Sequence, residues 1–516
     1  MSEYGFWNVA KANPEHVALV TPEERKIKAA ELAAESNRLA RGLRALGLGR
    51  GDVVATVLPN GAEMIELYLA CFQSGLYLVP INHHLVGPEV AYIVSDSGAR
   101  VFVGHERFAK ACREAASEVG LPEDRCFAVG RIEGFKPYES LKEGQSADPP
   151  EDRSAGQVMN YTSGTTGRPK GVRRRLLDAD PDTVGTMYAM FLSMFGIEPN
   201  NDNVHLCGSP LYHTAVLLFA SNSLHYGHTV VLMDKWTPER CLQLIEKYRV
   251  TTSHMVPTQF HRLLALPEEV RKKYDLSSLR CMIHAAAPCP VDIKKRMLEW
   301  WGPVIYEYYA ASEGGGTIVS PEEWLKYPGT VGRPWPGADI KIYDDEGNEC
   351  PPGKPGTVYM LLGQADFEYH KDKKKTESSR RGNYFTVGDV GYLNEDGYLF
   401  LCDRKIDMII SGGVNIYPSE IEAVLLTHPK VADAAVFGIP HEDWGEEVKA
   451  VIEPAPGVEP SEELAQEILA YCEDKLAKYK RPKSIDFVAE MPRDPNGKLY
   501  KRKLRDPYWQ GRERAI

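Results

Sequence analysis

Short apolar runs alternate with amphipathic stretches through the first third of the chain: DVVATVLP from Asp52, GAEMIELYLACFQSG from Gly61, LYLVPIN from Leu76, VGPEVAYIVSDSG from Val86 and ARVFVG from Ala99. Strand-length runs separated by helix-period stretches predict repeated βαβ units and a mostly parallel sheet. A second series begins with HTVVLMD at His228, passes through the helical TPERCLQLIEKYR to VTTSHMVP, and continues through LRCMIHAA, a helix over 291–301 and VIYEYYAA. Two such series predict two sheets, each covered on both faces. Between them, 137–156 is rich in charge, Pro and Gly and reads as a surface connection.

From about Thr330 the pattern changes to short β runs, IKIYDDEGNECPPGKPGTVYMLL and GYLNEDGYLFL, in which DDEGN and NEDG read as hairpin turns. After Asp403 comes a compact α+β pattern: DMIISGG, the helix SEIEAVLLTH, VADAAVFGI, VKAVIEP, a long helix over 461–479, and SIDFVA. The expected fold class is α/β. A large N-terminal domain over 1–404 holds two βαβ-type sheets and a β-barrel-like subdomain, and a small α+β domain covers 405–516.

Composition narrows the classes. A chain of 516 residues exceeds what one hydrophobic core serves, in keeping with this division. With 43% hydrophobic and 26% charged residues it is an ordinary globular chain. The net charge of -11 argues against a dedicated nucleic-acid binder, and the basic stretch 493–505 reads on composition alone as a solvated tail. Ten cysteines without a CxxC pair, and an opening without an apolar signal region, predict a reduced, cytoplasmic enzyme. No apolar run of about 18 residues is present, so no integral membrane association is expected.

The strongest chemical signal is MNYTSGTTGRPKG over 159–171. Thr162, Ser163, Thr165 and Thr166 supply hydroxyls and Gly164 and Gly167 supply glycines, ahead of Lys170 and Gly171. Glycines let backbone N–H groups close on phosphate oxygens as a nest, hydroxyls add donors, and the ammonium adds charge. The spacing is not GxxxxGK[ST], and Pro169 disfavours a helix start at the lysine, which argues against an ordinary P-loop kinase or ATPase. Composition alone would make this a surface loop; the ordered arrangement reverses that.

YTSGTTGRPKG resembles the phosphate loop of the adenylate-forming superfamily, which holds acyl- and aryl-CoA synthetases, peptide-synthetase adenylation domains and beetle luciferases. Further similar motifs follow in order: SPLYHTA from Ser209, HAAAPCP from His284, YEYYAASEGGG from Tyr306, YFTVGDVGYLNEDGYLFLCDRKIDMIISGGVNIYPSEIE from Tyr384, and MPRDPNGKLYKRKLR from Met491. Together they span 162–505.

The resemblance implies AMP-forming ligation of a small-molecule carboxylic acid to coenzyme A, with ATP, Mg2+ and CoA as partners and a homodimer left open. It implies catalytic roles for Lys170, Glu313 and Lys498. Glu313 and the Thr162 hydroxyl would hold Mg2+, which takes hard oxygen ligands; an isolated glutamate reads otherwise as exposed or ion-paired. Tyr309 would pack on the adenine beside Ala286 and Ala287, with core packing as the alternative, and Ser312 follows. Asp389 would accept both ribose hydroxyls next to Arg404; locally, a turn aspartate and a surface salt bridge are equally good readings. Lys498 would touch the carboxylate and α-phosphate as a compact point charge. The C-terminal domain would be a mobile lid that delivers Lys498 and then rotates, turning Gly412 and Gly413 toward the pantetheine arm.

By the same resemblance the acid is bordered by Tyr212, His213, His284, Ala310, Gly314, Gly315 and Gly316. The triple glycine would leave space near the carboxylate, and no fixed charge demands an amino or dicarboxylic acid. That favours a medium- or long-chain fatty acid or a bulky cyclic one. Three differences from the family pattern stand out: YAASE stands for YGxTE, so Ala310 replaces glycine and Ser312 threonine; Ile406 occupies the hinge position; and Val414 replaces a glutamate common in CoA ligases. The competing readings are delivery to a carrier-protein pantetheine and a nucleotide-binding protein without catalysis.

Overall fold

The computed structural model describes residues 4–162, 169–199, 202–361, 367–493 and 499–510. The first apolar series forms a wholly parallel six-stranded sheet, in the order Lys136–Pro137, Cys126–Val129, Val101–His105, Val53–Val57, Tyr77–Pro80 and Gln157–Val158. Val53–Val57 is buried at every position, as a strand covered on both faces must be.

The second series builds a nine-stranded sheet. Its parallel centre runs Ile305–Ala311, Cys281–His284, Thr252–Met255, Val204–Cys207, Thr229–Leu232 and Val17–Val20. Gly314–Val319 and Arg333–Pro334 add antiparallel strands at one edge, and Lys26–Lys28 at the other. The N-terminal segment therefore belongs to the second sheet, not to the first.

One core joins the two sheets: Val54, Leu78 and Val103 of the first meet Leu19, Val230 and Leu232 of the second through helices Ala29–Ala45, Ala62–Gln73 and Thr214–His225. Other helices cover the outer faces, giving five alternating layers. Strands within 340–361 and 380–404 form an antiparallel six-stranded sheet, with the expected turns at Gly347 and Gly397, and Phe367–Tyr369 joins Lys170–Arg174 and Asn160–Thr162 in a three-stranded one. The antiparallel six-stranded sheet ends at Arg404; at Ile409 a five-stranded sheet begins, with its own core around Ile421, Val436, Ala450 and Ile468.

Two expectations need correction. The 137–156 connection is not wholly superficial, because Tyr138 and Leu141 are buried and Lys142 reaches Glu66 at 3.2 Å. The helix over 461–479 stops at Tyr471, since the chain turns beyond the buried Cys472 and Arg481 Nε donates to the Leu476 carbonyl at 2.9 Å. Among the described residues no helix is long and apolar enough to cross a membrane.

The second sheet carries a buried ion cluster. Lys294 Nζ lies 2.7 Å from Glu307 Oε2 and 4.7 Å from the Trp324 ring, and His284 Nε2 is 3.3 Å from the same carboxylate. Burial pushes the Glu307 carboxyl up, but Lys294 and His284 outweigh it and hold it at about 2, against an ordinary 4.5. Its contribution is complete above pH 4.5 and is lost as the pH falls toward 2. Lys294→Met, which strands the carboxylate, should cost about 3–5 kcal/mol in denaturant unfolding; a loss below about 1 kcal/mol would contradict this cluster.

Candidate active site

The strands Asn160–Thr162 and Lys170–Arg174 form an antiparallel hairpin in which Thr162 pairs with Lys170, so the two ends of the glycine- and hydroxyl-rich loop are adjacent. Ser163, Gly164, Thr165, Thr166 and Gly167 lie outside the described residues, as does the side chain of Thr162. Helix Gly87–Ser97 anchors the base: the Tyr92 hydroxyl donates to the Pro169 carbonyl at 3.2 Å, and the Tyr161 hydroxyl to Asp96 Oδ2 at 2.7 Å. Lys170 Nζ is 2.5 Å from Asp372 Oδ2. This bond raises the lysine pKa and lowers that of the aspartate. The ammonium expected to face phosphate therefore holds a carboxylate, which Asp372 presents while its other oxygen caps helix Lys373–Ser378 through Lys375 N.

At the carboxyl end of Ile305–Ala311 two polar links converge. The Tyr309 hydroxyl donates to Asp389 Oδ2 at 2.7 Å, and Asp389 sits directly across from Arg404, whose Nε is 3.4 Å from Oδ1. Burial, then the Asp389 charge, push the Tyr309 phenol well above its ordinary value, so it remains a donor. In the turn that follows, buried Glu313 accepts a 2.7 Å bond from the Tyr369 hydroxyl. Tyr369 lies on Phe367–Tyr369, which pairs with Lys170–Arg174, so one phenol joins the loop hairpin to Glu313. Arg174 Nη2 donates to the Ser312 carbonyl at 2.7 Å, and the Thr214 and Ser312 hydroxyls lie 3.3 Å apart.

Ala286 has φ 74, a left-handed conformation that a non-glycine residue holds only under strain, and it is exposed past the end of Cys281–His284 with half-buried Ala287 beside it. Such strain collects at functional surfaces.

The expected acid-side residues do not all share one surface. Side chains alternate along a strand, and His284 falls on the face toward Lys294, fully buried and edge-on to Phe260 at 5.3 Å. Burial lowers its pKa, despite Glu307, so near pH 7 the ring is neutral and takes up charge only in the acid range. The opposite face carries Ile283, Tyr308 and Ala310. His284 can thus border an acid only through its backbone. The triple glycine is also not open space: a Cβ on Gly315 would lie 2.6 Å from Met360 Cβ, and one on Gly316 2.3 Å from the Trp335 ring; only Gly314 has nothing within 4 Å.

Tyr212 is buried, its ring 4.3 Å from that of His213 and 5.0 Å from that of His83. His213 is the N-cap residue of helix Thr214–His225, which sets it beside the Thr214–Ser312 contact. Gly412 and Gly413, with φ 58 and 78, form the two-residue turn of a hairpin. A Cβ on Gly412 would meet the Trp444 ring at 2.7 Å. Lys498 lies outside the described residues.

Three residues at the site were missed from sequence. Tyr369 sits in a stretch with no motif. Arg174 belongs to the run VRRR, whose position just after the loop lysine was a usable signal. Thr214 lies in SPLYHTA, next to the His213 that the resemblance singles out. Among the described residues no group of three or more His, Cys, Asp or Glu is arranged to hold a metal ion. The Glu313 carboxylate offers hard oxygens, the ligand type of a cation that takes its remaining ligands from phosphate and water.

The model of the family described as AMP-binding enzyme matches residues 6–362, and that of the AMP-binding enzyme C-terminal domain matches 420–498. A fatty acid–[acyl-carrier-protein] ligase of Streptomyces coeruleorubidus is 32% identical, covering 96% of this chain and 94% of that protein. A long-chain-fatty-acid–CoA ligase of Mycobacterium tuberculosis is also 32% identical, covering 97% of each. The structure of o-succinylbenzoate CoA synthetase from Bacillus subtilis, in complex with its acyl-adenylate intermediate, superposes with a TM-score of 0.80 at 30% identity, over 97% of both chains.

Removing the Tyr369 hydroxyl leaves a buried carboxylate oxygen without its donor. Tyr369→Phe should therefore lower stability by about 1–3 kcal/mol, read from the shift in thermal midpoint; an unchanged midpoint would mean the bond is not formed in solution.

Proposed function

The chain belongs to the AMP-binding enzyme family, and from that premise we propose that it joins a hydrophobic carboxylic acid to the thiol of coenzyme A through an acyl-adenylate. Its class is acid–thiol ligase, and its nucleotide is ATP. The observation that carries the reading is the meeting of two polar links at one strand end: Tyr309 with Asp389 and Arg404, and Glu313 with Tyr369 beside the loop hairpin.

In the first half-reaction a carboxylate oxygen attacks the α-phosphorus and the bond to pyrophosphate breaks. Both reactants are anionic, so the site must neutralise charge and align the attack. Asp389 and Arg404 hold the ribose, Tyr309 lies on the adenine with Ala286 and Ala287, and Thr162 with Ser163, Gly164, Thr165, Thr166 and Gly167 cradles the phosphates. Lys170 exchanges Asp372 for a phosphate oxygen. Glu313, oriented by Tyr369, and Thr162 would hold Mg2+, which when bound withdraws charge from the phosphate oxygens. Lys498 adds a positive charge at the reacting centre.

In the second half-reaction the thiolate attacks the acyl carbonyl and AMP leaves with the electron pair. Residues 1–404 serve as body and 405–516 as lid, with Gly412 and Gly413 lining the pantetheine path. Delivery to a carrier-protein pantetheine is the second reading, favoured by the Streptomyces relative and by Val414 in the place of glutamate. Turnover with CoA as sole acceptor separates the two.

Labelled pyrophosphate should exchange into ATP only when acid is present; formation of ADP instead of AMP would end this reading. Lys498→Ala should depress exchange by about a hundredfold or more while thioester formation from supplied acyl-adenylate persists, and equal losses in both would contradict two working poses of the lid. Asp389→Asn should raise the KM for ATP roughly tenfold or more, the worth of a hydrogen bond to a charged group; an unchanged KM would remove Asp389 from the nucleotide.

A further inference from the structure

Given the adenylation reading, the geometry also speaks to the size of the acid. Tyr309 commits one face of Ile305–Ala311 to Asp389, which leaves Tyr308 and Ala310 on the other. The acid's way to the reacting centre on that side is the turn at Ser312, bounded by Gly314–Val319 and by the first turn of Thr214–His225, where the Thr214 and Ser312 hydroxyls meet.

Rings fill the region behind this turn. Trp335 stands where a Gly316 Cβ would be. Phe191, on helix Pro181–Ser193, is edge-on to Trp335 at 5.8 Å and to Tyr308 at 6.1 Å. Phe219 lies 5.7 Å from Phe191, 6.0 Å from Tyr308 and 5.0 Å from the His254 ring. Phe191 and Trp335 are half-buried, whereas Phe219, Tyr308 and His254 are buried. The first two thus keep a partly exposed edge, and the other three are closed off behind them.

We propose that Phe191, Phe219, Tyr308 and Trp335 close the acid subsite short of a long chain, so that the substrate is a compact aryl or short-chain acid. A flat ring enters such a site edge-to-face with the rings already there. A long alkyl chain enters only if several close-packed rings leave their rotamers together. The Ala310 methyl, in place of the family's glycine, narrows the same face further.

The test is kcat/KM for benzoate, butyrate and dodecanoate, measured by pyrophosphate release with the full-length enzyme, ATP and CoA. Benzoate or butyrate should exceed dodecanoate by on the order of a hundredfold. Trp335→Ala and, separately, Phe191→Leu should narrow that ratio about tenfold, mainly through the KM for dodecanoate. Dodecanoate equal to or better than both compact acids would overturn the proposal while leaving adenylation intact, and would direct the chain to the exposed Met187 and Met190 beside Phe191. Variants that keep the wild-type ratio would also overturn it, and ADP in place of pyrophosphate would overturn the adenylation reading itself.

Discussion

Side chains on the strand Ile305–Ala311 alternate between two crowded faces, and every other feature of the site is arranged around that alternation. Glu307 and Tyr309 point to one side, where Lys294 neutralises the first and Asp389 receives the hydroxyl of the second. Tyr308 and Ala310 point to the other, into a layer of aromatic rings. Polar chemistry and apolar packing are thus separated by the thickness of one strand. The turn that ends the strand, at Ser312 and Glu313, is where the two meet.

That arrangement places charge in poorly solvated surroundings, and each charge has a partner. Glu307 has Lys294, Glu313 has the Tyr369 phenol, and Arg174, whose pKa burial lowers, bonds the Ser312 carbonyl. Lys170 is held by Asp372. Both side chains of the last pair are partly exposed, so in the proposed reaction exchanging the carboxylate for phosphate costs little desolvation.

The layered fold was legible because its signals are local: apolar runs such as VVATV and TVVL, broken by helix-period stretches, specify covered parallel strands. The meeting of Tyr309, Asp389 and Glu313 at one strand end was legible for a different reason, since all three sit in ordered motifs. What the chain could not display was side-chain direction. His284 lies in a motif yet points to the wrong face, because parity along Cys281–His284 depends on which face covers which helix. The glycines 314–316 suggested open space, but the side chains that occupy it at two of them, Met360 at Gly315 and Trp335 at Gly316, come from other segments, and only the paired edge strands bring Trp335 against Gly316. Tyr369, in an unremarkable stretch, became visible only once its strand was paired.

The central claim is that a carboxylate oxygen ends up bonded to the α-phosphorus at the turn after this strand. Isotope transfer tests it directly: benzoate labelled with oxygen-18 in its carboxylate is turned over with ATP and CoA, and AMP and pyrophosphate are weighed by mass spectrometry. Adenylation predicts one labelled oxygen in AMP and none in pyrophosphate. Label in pyrophosphate or in free phosphate, or none in AMP, would contradict it.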